Sequence, residues 1–197
     1  MSIGPERPRA FFLLLGCYNK GIKKWVMDLE RILIIGGNGC GKTTFARRLS
    51  EKLGMPLVHL DALYWRDNWE SASDAEFDEL LLKELGKPRW IIDGNIIRTL
   101  PLRLKHCDTV IYMDFSRVRC TCGAVKRLIR NYGRSRPDMG GYCPERLTKE
   151  KLEFLRSIWR MDQRNREHFY DMLANCDGIQ IVVLKNRRQV KSFLKGL

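Results

Sequence analysis

Short apolar runs alternate with helical patterns along the chain from about residue 28 onward. Runs that are rich in branched residues and contain no polar alternation are typical of strands covered on both faces of a parallel sheet. The sequence predicts such strands at 31–35, 57–60, 90–92, 109–113 and 179–184. Because helical stretches separate them, we predict an α/β fold with a five-stranded, doubly wound parallel sheet flanked by helices.

Two of the intervening helices carry boundary signals. Apolar residues recur at four-residue spacing from Phe45 up to Gly54, which predicts a helix that stops at a glycine. Ser73 precedes Glu76 by three residues, and this capping-box pattern predicts the start of a second amphipathic helix. These signals place one helix after each of the first two strands.

One segment, residues 116–170, is far longer than a crossover between two strands requires. It holds 14 Lys and Arg against 6 Asp and Glu and therefore carries a formal charge of +8. Within it, residues 133–147 contain three Gly and two Pro between two amphipathic patterns, which predicts a mobile loop joining two basic helices. We interpret the segment as an arginine-rich helical lid over the carboxyl ends of the strands.

The chain has 197 residues, 44% of them apolar, and a formal net charge of +13. This length predicts a single domain at 27–197 with a core of its own. The charge favours acidic partners such as nucleic acid, anionic lipid or phosphorylated small molecules, without choosing among them. Met27 lies just before the first predicted strand, so residues 1–26 are interpreted as a disordered N-terminal extension or as residues upstream of the true start.

The cysteines and the apolar runs indicate in which compartment the protein is expected. Seven cysteines at irregular spacing are typical of reduced thiols rather than of a disulfide framework, so we expect a cytoplasmic protein. The longest apolar run, residues 10–15, is far shorter than the roughly 20 residues that cross a bilayer, and we expect no membrane partner. We expect a monomer.

The sharpest motif follows the first predicted strand and matches the P-loop pattern in full. Its residues are Gly36, Gly37, Asn38, Gly39, Cys40, Gly41, Lys42, Thr43 and Thr44. Glycines let successive backbone N–H groups converge on phosphate oxygens, Lys42 reaches the β and γ phosphates, and Thr43 ligates Mg²⁺. The motif therefore predicts ATP and Mg²⁺ as cofactors.

Two carboxylates close predicted strands, at the edge where open α/β sheets bind ligands. Asp61 is a candidate for accepting the proton of an acceptor hydroxyl, for holding Mg²⁺ through water, or merely for capping the next turn. Asp93 ends the strand predicted beside the P-loop strand, and we favour a Mg²⁺-organising role for it over capping. Gly94 and Asn95 follow it as candidate acceptor-binding residues.

Arginine predominates over lysine in the lid segment, and its planar fork suits bidentate contacts with phosphate. Arg127 and Arg130 share one helix face, so they lead the candidates for stabilising the transferring phosphoryl group. The candidates for acceptor or phosphate binding are Arg66, Arg98, Arg134 and Arg164. We expect about three or four of the arginines to touch phosphates and the rest to lie in solvent.

Aromatic residues cluster after the second predicted strand, at Tyr64, Trp65 and Trp69. Such a cluster either packs in the core or forms a stacking wall for an acceptor ring. The sequence leaves both interpretations open.

Five strings stand out together in this sequence. They are the P-loop, His59-Leu60-Asp61-Ala62-Leu63-Tyr64-Trp65, Trp90-Ile91-Ile92-Asp93-Gly94-Asn95, Arg136-Pro137-Asp138-Met139, and Cys143-Pro144-Glu145-Arg146 with the residues 154–159. Together they resemble the adenylate-kinase-like P-loop family of DNA topology modulation proteins, from about residue 28 to the C-terminus. The resemblance implies a small cytoplasmic protein of the nucleotide-kinase type, with an acceptor-binding region after the second strand and an arginine-bearing lid.

The sequence departs from true adenylate kinases at the end of the third strand. Those kinases have an Asp-Gly-Phe-Pro-Arg string there, whereas residues 93–98 lack the proline and displace Arg98 by one position. This departure disfavours a nucleoside monophosphate as the acceptor. The position of Asp61 is instead similar to that of a carboxylate in hydroxyl-phosphorylating relatives such as shikimate and gluconate kinases, where it addresses the acceptor.

We therefore predict an enzyme that transfers the γ-phosphoryl group of ATP to a small-molecule acceptor. Its catalytic residues are predicted to be Lys42, Asp61, Arg127 and Arg130, and its metal-organising residues Thr43 and Asp93. The alternative is a nucleic-acid-binding or DNA-topology-modulating protein that uses nucleotide as a switch, in keeping with the net charge of +13. We find no recognisable nucleic-acid-binding motif and favour the kinase.

Overall fold

The computed structural model describes residues 11–14, 29–160, 163–176 and 178–197, with the backbone alone at 11–14, 163–165 and 168. The described strands form one six-stranded sheet in which every pair is parallel. They are β1 (Phe11–Leu14), β2 (Arg31–Gly36), β3 (Leu57–His59), β4 (Trp90–Asp93), β5 (Thr109–Met113) and β6 (Gln180–Val183). Their order is β1-β6-β5-β2-β4-β3, so β2 lies between β5 and β4 in the interior of the sheet.

Helices cover both faces of this sheet. Among the described residues they are α1 (Lys42–Leu53), α2 (Leu60–Tyr64), α3 (Asp74–Leu85), α4 (Leu100–His106), α5 (Arg117–Arg130), α6 (Lys149–Arg160), α7 (Gln163–Ala174) and α8 (Arg187–Gly196). One core contains Phe45 of α1 and Phe193 of α8, and the other contains Phe77 of α3 and Leu173 of α7. In the part of the chain that is described, none of the helices has the length and apolar character needed to cross a membrane.

All five strands predicted from apolar runs form, which confirms the P-loop α/β fold. Ile32, Leu33 and Ile34 are fully buried, as expected for a strand whose alternating side chains meet a helical layer on each face. The bounds differ from the prediction by one residue at some ends. The difference that matters lies after β3, where Leu60 begins α2 and thereby places Asp61 in the first turn of a short helix.

The two predicted helix boundaries also form. Gly54 follows α1 with a left-handed backbone (φ 61°), the conformation that favours glycine at a helix end. Ser73 caps α3, because its side-chain oxygen accepts a hydrogen bond from the Glu76 N–H group at 3.2 Å. The carboxylate of Glu76 does not complete a reciprocal capping box and instead pairs with Arg66.

The strand β1 is an addition to the predicted sheet. Its residues, Phe11–Leu14, pair in parallel with Gln180–Val183 at the edge formed by β6. They belong to the segment 1–26 that the sequence analysis interpreted as a disordered extension or as residues upstream of the start. Backbone pairing gives these four residues a place in the sheet, whereas 1–10 and 15–28 lie outside the described residues.

The predicted lid segment, residues 116–170, contains α5, α6, the first part of α7 and the loop between α5 and α6, residues 131–148, which we call the lid loop. The lid loop was predicted to be mobile from its Gly and Pro content, and mobility stays a prediction. Arg136, Asp138 and Glu145 of this loop are buried. Gly133 N–H donates to the Glu145 carbonyl, and Glu145 N–H donates to the Arg134 carbonyl. The loop therefore has polar partners inside the protein that its composition does not indicate.

Candidate active site

The P-loop joins β2 to α1, and three of its glycines have backbone angles that other residues rarely adopt. Gly36, Gly39 and Gly41 have φ values of 148°, 83° and 98°. A Cβ atom on Gly36 would lie 2.6 Å from the Met113 carbonyl oxygen, so a side chain does not fit there. The first N–H groups of α1 have no partner within the helix, and Gly41 has no side chain to cap them. The loop therefore presents backbone donors and a positive helix end to an anion.

Lys42 is the first residue of α1 and is held against the P-loop. Its side-chain ammonium group donates to the carbonyl oxygens of Gly36 at 2.8 Å and of Gly37 at 3.1 Å. An ammonium group has three donors, so these two bonds leave one for a phosphate oxygen. The residue also lines the cleft described below, as expected for a lysine that contacts phosphate.

Thr43 and Asp93 meet at the base of the cleft. Thr43 Oγ1 donates to Asp93 Oδ2 at 2.9 Å, and His59 Nδ1 lies 3.2 Å from the same oxygen. The other oxygen, Oδ1, is buried and has no hydrogen-bond partner among the described residues. A buried carboxylate oxygen without a donor is costly, and a hydroxyl and a carboxylate are groups that bind Mg²⁺ directly or through water. The residues present therefore fit Mg²⁺.

A buried arginine that the sequence analysis did not identify supports the loop after β4. Arg103 of α4 is 0% exposed and donates to the carbonyl oxygens of Gly94 and Ile96. Burial lowers the pKa of this guanidinium to about 10. Asn95, predicted to bind the acceptor, accepts a hydrogen bond from the Gly36 N–H at 3.3 Å and so also supports the P-loop. Both Gly94 and Asn95 line the cleft, as predicted.

These elements surround one cleft of about 1170 Å³ between the P-loop, α2 and the lid. Its basic lining residues are Lys42, Arg47, Lys126, Arg127, Arg130, Arg136, Arg146, Lys151 and Arg187, and its acidic ones are Asp61, Asp93, Asp138 and Glu150. Cations exceed anions by more than two to one, so the potential in the cleft favours a polyanion. The volume exceeds the usual upper range of about 1,000 Å³ for one drug-sized ligand, which leaves space for a nucleotide and a small acceptor.

The predicted catalytic arginines of α5 face this cleft together with an arginine of the lid loop. Arg127 and Arg130 both line it, and Arg127 Nε lies 3.6 Å from Glu145 Oε1. Arg136 Nε lies 3.3 Å from the same carboxylate oxygen. Burial and the neighbouring Arg136 lower the pKa of Arg127, whereas Glu145 raises it. Two guanidinium groups thus share one buried carboxylate beside the cleft.

Asp61 is half-exposed in the first turn of α2 and faces the lid loop. Its Oδ2 lies 3.5 Å from Arg136 Nη2, and its side chain is 42% exposed. Arg136 also contacts Asp138 through Nη1. Asp61 therefore combines access to a ligand in the cleft with a cation that fixes its carboxylate.

Three of the four arginines predicted to bind the acceptor or a phosphate have described side chains, and these three do not line the cleft. The Arg66 guanidinium group donates to Glu76 Oε1 of α3 at 2.6 Å and to the Leu63 carbonyl oxygen. Arg98 donates two 2.9 Å hydrogen bonds to Asp78, also on α3. Arg134 is exposed on the lid loop away from the cleft, and the side chain of Arg164 lies outside the described residues. Arg66 and Arg98 thus pair with carboxylates of α3, and their binding of a ligand stays a prediction.

Arg47 and Arg187 are among the cleft residues that the sequence analysis did not identify. Arg47 lies one turn after Thr43 on α1, and its Nη2 is 3.3 Å from Asp138. The four-residue spacing from Thr43 is a sequence signal that places Arg47 on the same helix face. Arg187 begins α8 and lies over the Phe115 ring, with its guanidinium 2.9 Å from where a Cβ on Gly41 would be. No local pattern indicates Arg187, because the fold alone brings the end of β6 beside the P-loop.

Residues 61–69, which we call the acceptor segment, are bonded directly to the lid loop. Asn68 N–H donates to the Tyr142 carbonyl at 2.9 Å, and Tyr142 N–H donates to Asp67 Oδ1 at 2.6 Å. Trp69 Nε1 donates to the Pro144 carbonyl at 3.1 Å. The aromatic cluster of this segment thus packs against the lid loop, and its members also line the cleft.

Comparisons with known proteins identify relatives of this chain. A family model described as ATPase family associated with various cellular activities (AAA) matches residues 32–92. A shikimate kinase of Enterococcus faecalis (strain ATCC 700802 / V583) is 31% identical over 163 residues, which cover 74% of this chain and 86% of that protein. The solved structure of a shikimate kinase from Acinetobacter baumannii in complex with shikimate has a TM-score of 0.55 and 17% identity, and the match covers 87% of this chain and 92% of that one. The structural likeness bears on the fold alone.

Proposed function

This chain belongs to the P-loop kinase family of its shikimate kinase relative, and from that premise we propose that it transfers the γ-phosphoryl group of ATP to a hydroxyl group of a small acceptor. The observation that carries the proposal is the convergence of Lys42, Asp61 and Asp93 on one positively charged cleft. Within this family we assign the chain to the DNA topology modulation proteins, on the strings at 59–65 and 90–95. The protein would act as a cytoplasmic monomer.

The nucleotide side of the site follows from the P-loop geometry. Backbone N–H groups of the loop and the ammonium group of Lys42 would bind the ATP phosphates. Thr43 and Asp93 would hold Mg²⁺, which when bound supplies charge neutralisation at the β and γ oxygens. Arg127 and Arg130 line the same cleft from α5, where they would stabilise negative charge on the transferring group.

The acceptor side rests on Asp61. A carboxylate within hydrogen-bond reach of a hydroxyl orients it and accepts its proton during attack on the phosphorus atom. A phosphate acceptor would be opposed by the same carboxylate, by about 4 kcal/mol at a separation of about 4 Å and an effective dielectric near 20. Arg136 offsets part of this repulsion, yet its Nη groups already contact Asp61 and Asp138. A hydroxyl acceptor is therefore favoured over a monophosphate.

Phosphoryl transfer is tested by ADP release from ATP and Mg²⁺ in a panel of acceptors that includes shikimate, gluconate, nucleosides and nucleoside monophosphates. With the acceptor that gives turnover, we expect Lys42→Ala to lower kcat/KM by about 10³-fold, because a donor to the phosphates is lost. Lys52→Ala is the matched control, since Lys52 is an exposed lysine in the last turn of the same helix. Equal transfer by wild type and Lys42→Ala would refute the assignment.

The role of Asp61 is tested by Asp61→Asn in the same assay. We expect ATP affinity to change by less than about twofold and turnover with a hydroxyl acceptor to fall by about 10²-fold, because the proton acceptor is removed. Binding of ATP by calorimetry and initial rates separate the two effects. Faster transfer to a nucleoside monophosphate in Asp61→Asn would show that the carboxylate repels the natural acceptor and would return the protein to the ordinary nucleotide kinases.

The alternative function, nucleic-acid binding, is suggested by the same positive charge and is tested separately. The cations described above converge on a concave cleft beside the P-loop, which suits a nucleotide better than a duplex. Filter binding to duplex DNA across a salt series measures how many phosphates the protein neutralises, since affinity falls steeply with salt when several are engaged. We expect weak binding already at low salt. Tight binding with a steep salt dependence would favour the alternative.

A further inference from the structure

Glu145 is a buried carboxylate at the centre of a group of lid cations. Its side chain is 1% exposed, and Lys151 Nζ lies 2.7 Å from Oε2. Arg136 Nε and Arg127 Nε approach Oε1 at 3.3 and 3.6 Å. Three cations therefore surround one anion whose own access to solvent is negligible.

The backbone fixes the position of Glu145 independently of these cations. Its N–H donates to the Arg134 carbonyl at 3.1 Å, and its carbonyl accepts from the Gly133 N–H at 2.8 Å. The preceding residue, Pro144, is tied to the acceptor segment through its carbonyl, which accepts from Trp69 Nε1. Backbone hydrogen bonds of Glu145 and Pro144 thus hold the segment that carries the carboxylate.

The nitrogen through which each arginine contacts Glu145 determines which of its other nitrogens can contact a ligand. Glu145 Oε1 contacts Arg127 and Arg136 at Nε, the nitrogen nearest the backbone, at ion-pair distance and without a hydrogen bond among the described residues. These contacts leave the two terminal Nη groups of each guanidinium unused by Glu145. Those of Arg136 reach Asp61 and Asp138 at the cleft. Without the carboxylate, like charge would separate the two guanidinium groups, because Arg136 already disfavours the charged form of Arg127.

We propose that Glu145 is a positioning residue that holds Arg127 beside Arg136 so that the terminal nitrogens of Arg127 can reach the phosphates of the bound nucleotide. The inference rests on the proposed function, since it takes the cleft to be the ATP site. Glu145 itself touches no substrate. Its contribution is to preorganise the Arg127 guanidinium group where charge develops during transfer, so that this group does not have to be oriented at the moment of reaction.

The test compares Glu145→Gln, a neutral side chain of nearly the same shape, with Glu153→Gln on α6, which removes one exposed lid carboxylate. Titrations with Mg²⁺ measure the affinity for ADP and for a non-hydrolysable ATP analogue in each variant. We expect Glu145→Gln to bind ADP within about twofold of wild type and to lose about tenfold of its preference for the analogue, because Arg127 no longer reaches the γ-phosphate. Glu153→Gln should keep both affinities, and an unchanged preference in Glu145→Gln would overturn the proposal.

A double-mutant cycle separates positioning from a merely structural role. If Glu145 acts through Arg127, the loss of analogue preference caused by Arg127→Ala should be about tenfold in wild type and less than about threefold in Glu145→Gln. Additive losses would overturn the proposal. Glu145→Asp keeps the charge and should restore part of the preference for the analogue. If circular dichroism shows that Glu145→Gln does not fold, Glu145→Asp replaces it in the cycle.

The outcomes for Glu145 and for the proposed function remain distinguishable. If wild type binds the analogue more tightly than ADP but transfers phosphate to no acceptor in the panel, the proposed function fails and the nucleotide preference still measures the role of Glu145. If wild type transfers phosphate and Glu145→Gln does so with the same kcat, KM and preference, the function stands and the positioning role fails. Wild type that binds neither nucleotide overturns both.

Discussion

Two arginines of this chain show why residue type alone does not define a phosphate site. Arg98 and Arg136 each have a planar fork. Arg98 is predicted from the sequence to bind the acceptor or a phosphate, and Arg136 belongs to a string that carries the family resemblance. The fork of Arg98 is bidentate to Asp78, lies 3.1 Å from Asp74, and its guanidinium lies over the Phe77 ring, so it ties the segment after β4 to α3. Arg136 lies at the cleft with its Nη groups on carboxylates that face a ligand.

The first prediction contrasts these two arginines. Arg98→Gln should leave kcat/KM within about twofold of wild type, because exposed ion pairs contribute little and this one lies outside the cleft. Arg136→Gln should lower kcat/KM by about 10²-fold or more, since it removes a cation beside both Asp61 and Glu145. Steady-state kinetics with the acceptor found in the panel measure both variants. A larger loss in Arg98→Gln than in Arg136→Gln would restore Arg98 as a substrate ligand.

Sequence predicts the nucleotide side of the site far better than the lid side. Lys42 and Thr43 occupy fixed positions in a motif whose geometry is set within nine residues, and Asp93 ends an apolar run. The partners of Arg136, by contrast, come from α2 and from two other positions in the lid loop, Asp138 and Glu145. No periodicity relates residues in an irregular loop to a helix more than 70 positions away, so this network follows only from tertiary packing.

The strands also divide into those that local sequence predicts and one that depends on tertiary packing. Apolar runs at 31–35 and 109–113 predicted β2 and β5 almost to the residue, because burial on both faces leaves no alternative pattern. The strand at 11–14 was not predicted, since a short edge strand is paired on one side only and its apolar run is equally compatible with other structures. Pairing in the sheet, rather than local sequence, distinguishes the two cases.

The packing of α5 against the P-loop is an element-scale feature with direct consequences for nucleotide binding. Gly123 lies on α5, and a Cβ there would be 2.0 Å from the Gly39 carbonyl oxygen. A Cβ on Gly39 would in turn be 2.1 Å from the Cys120 carbonyl oxygen. The two backbones therefore approach closely only because both positions are glycine, and this contact sets where α5 presents Arg127 to the cleft.

The second prediction concerns Gly123→Ala. Helix propensity alone would stabilise α5 by about 1 kcal/mol, but the clash with the Gly39 carbonyl costs about 1–3 kcal/mol and moves the helix away from the loop. We expect ATP affinity to fall by about tenfold or more and the unfolding free energy to decrease. Calorimetry and urea unfolding measure the two quantities.

Gly86→Ala is the matched control for this substitution. Gly86 ends α3 with an ordinary helical backbone, and a Cβ there would meet nothing closer than 3.5 Å. Its ATP affinity should equal that of wild type. If Gly123→Ala also binds ATP normally, α5 is not held by this glycine contact.

At the scale of the whole molecule, two cores share one sheet, and each contains a buried thiol. Cys120 belongs to the core under α1 and α8, and Cys107 to the core under α3 and α7. Burial raises the pKa of Cys107 from 9.0 to about 12 and that of Cys120 from 9.0 to about 11. Both thiols stay neutral in the folded protein at a pH where the unfolded chain already ionises them. The free energy of unfolding therefore depends on the protonation of these two thiols.

The last prediction is that the protein loses stability in mildly alkaline solution. A group whose folded pKa is raised binds its proton more tightly in the folded state, so its contribution is fully present below pH 9.0 and is lost as pH rises toward 11 or 12. Deprotonation of lysines reduces the net charge of +13 over the same range and acts in the opposite direction. Comparing wild type with Cys107→Ala separates the contribution of this thiol to stability from that of the lysines. Between pH 7.5 and 10, urea unfolding under reducing conditions should show wild type losing about 1 kcal/mol more than Cys107→Ala. Parallel pH profiles for the two proteins would show that this thiol is ionised equally in both states and that its burial does not shape the alkaline limit of the fold.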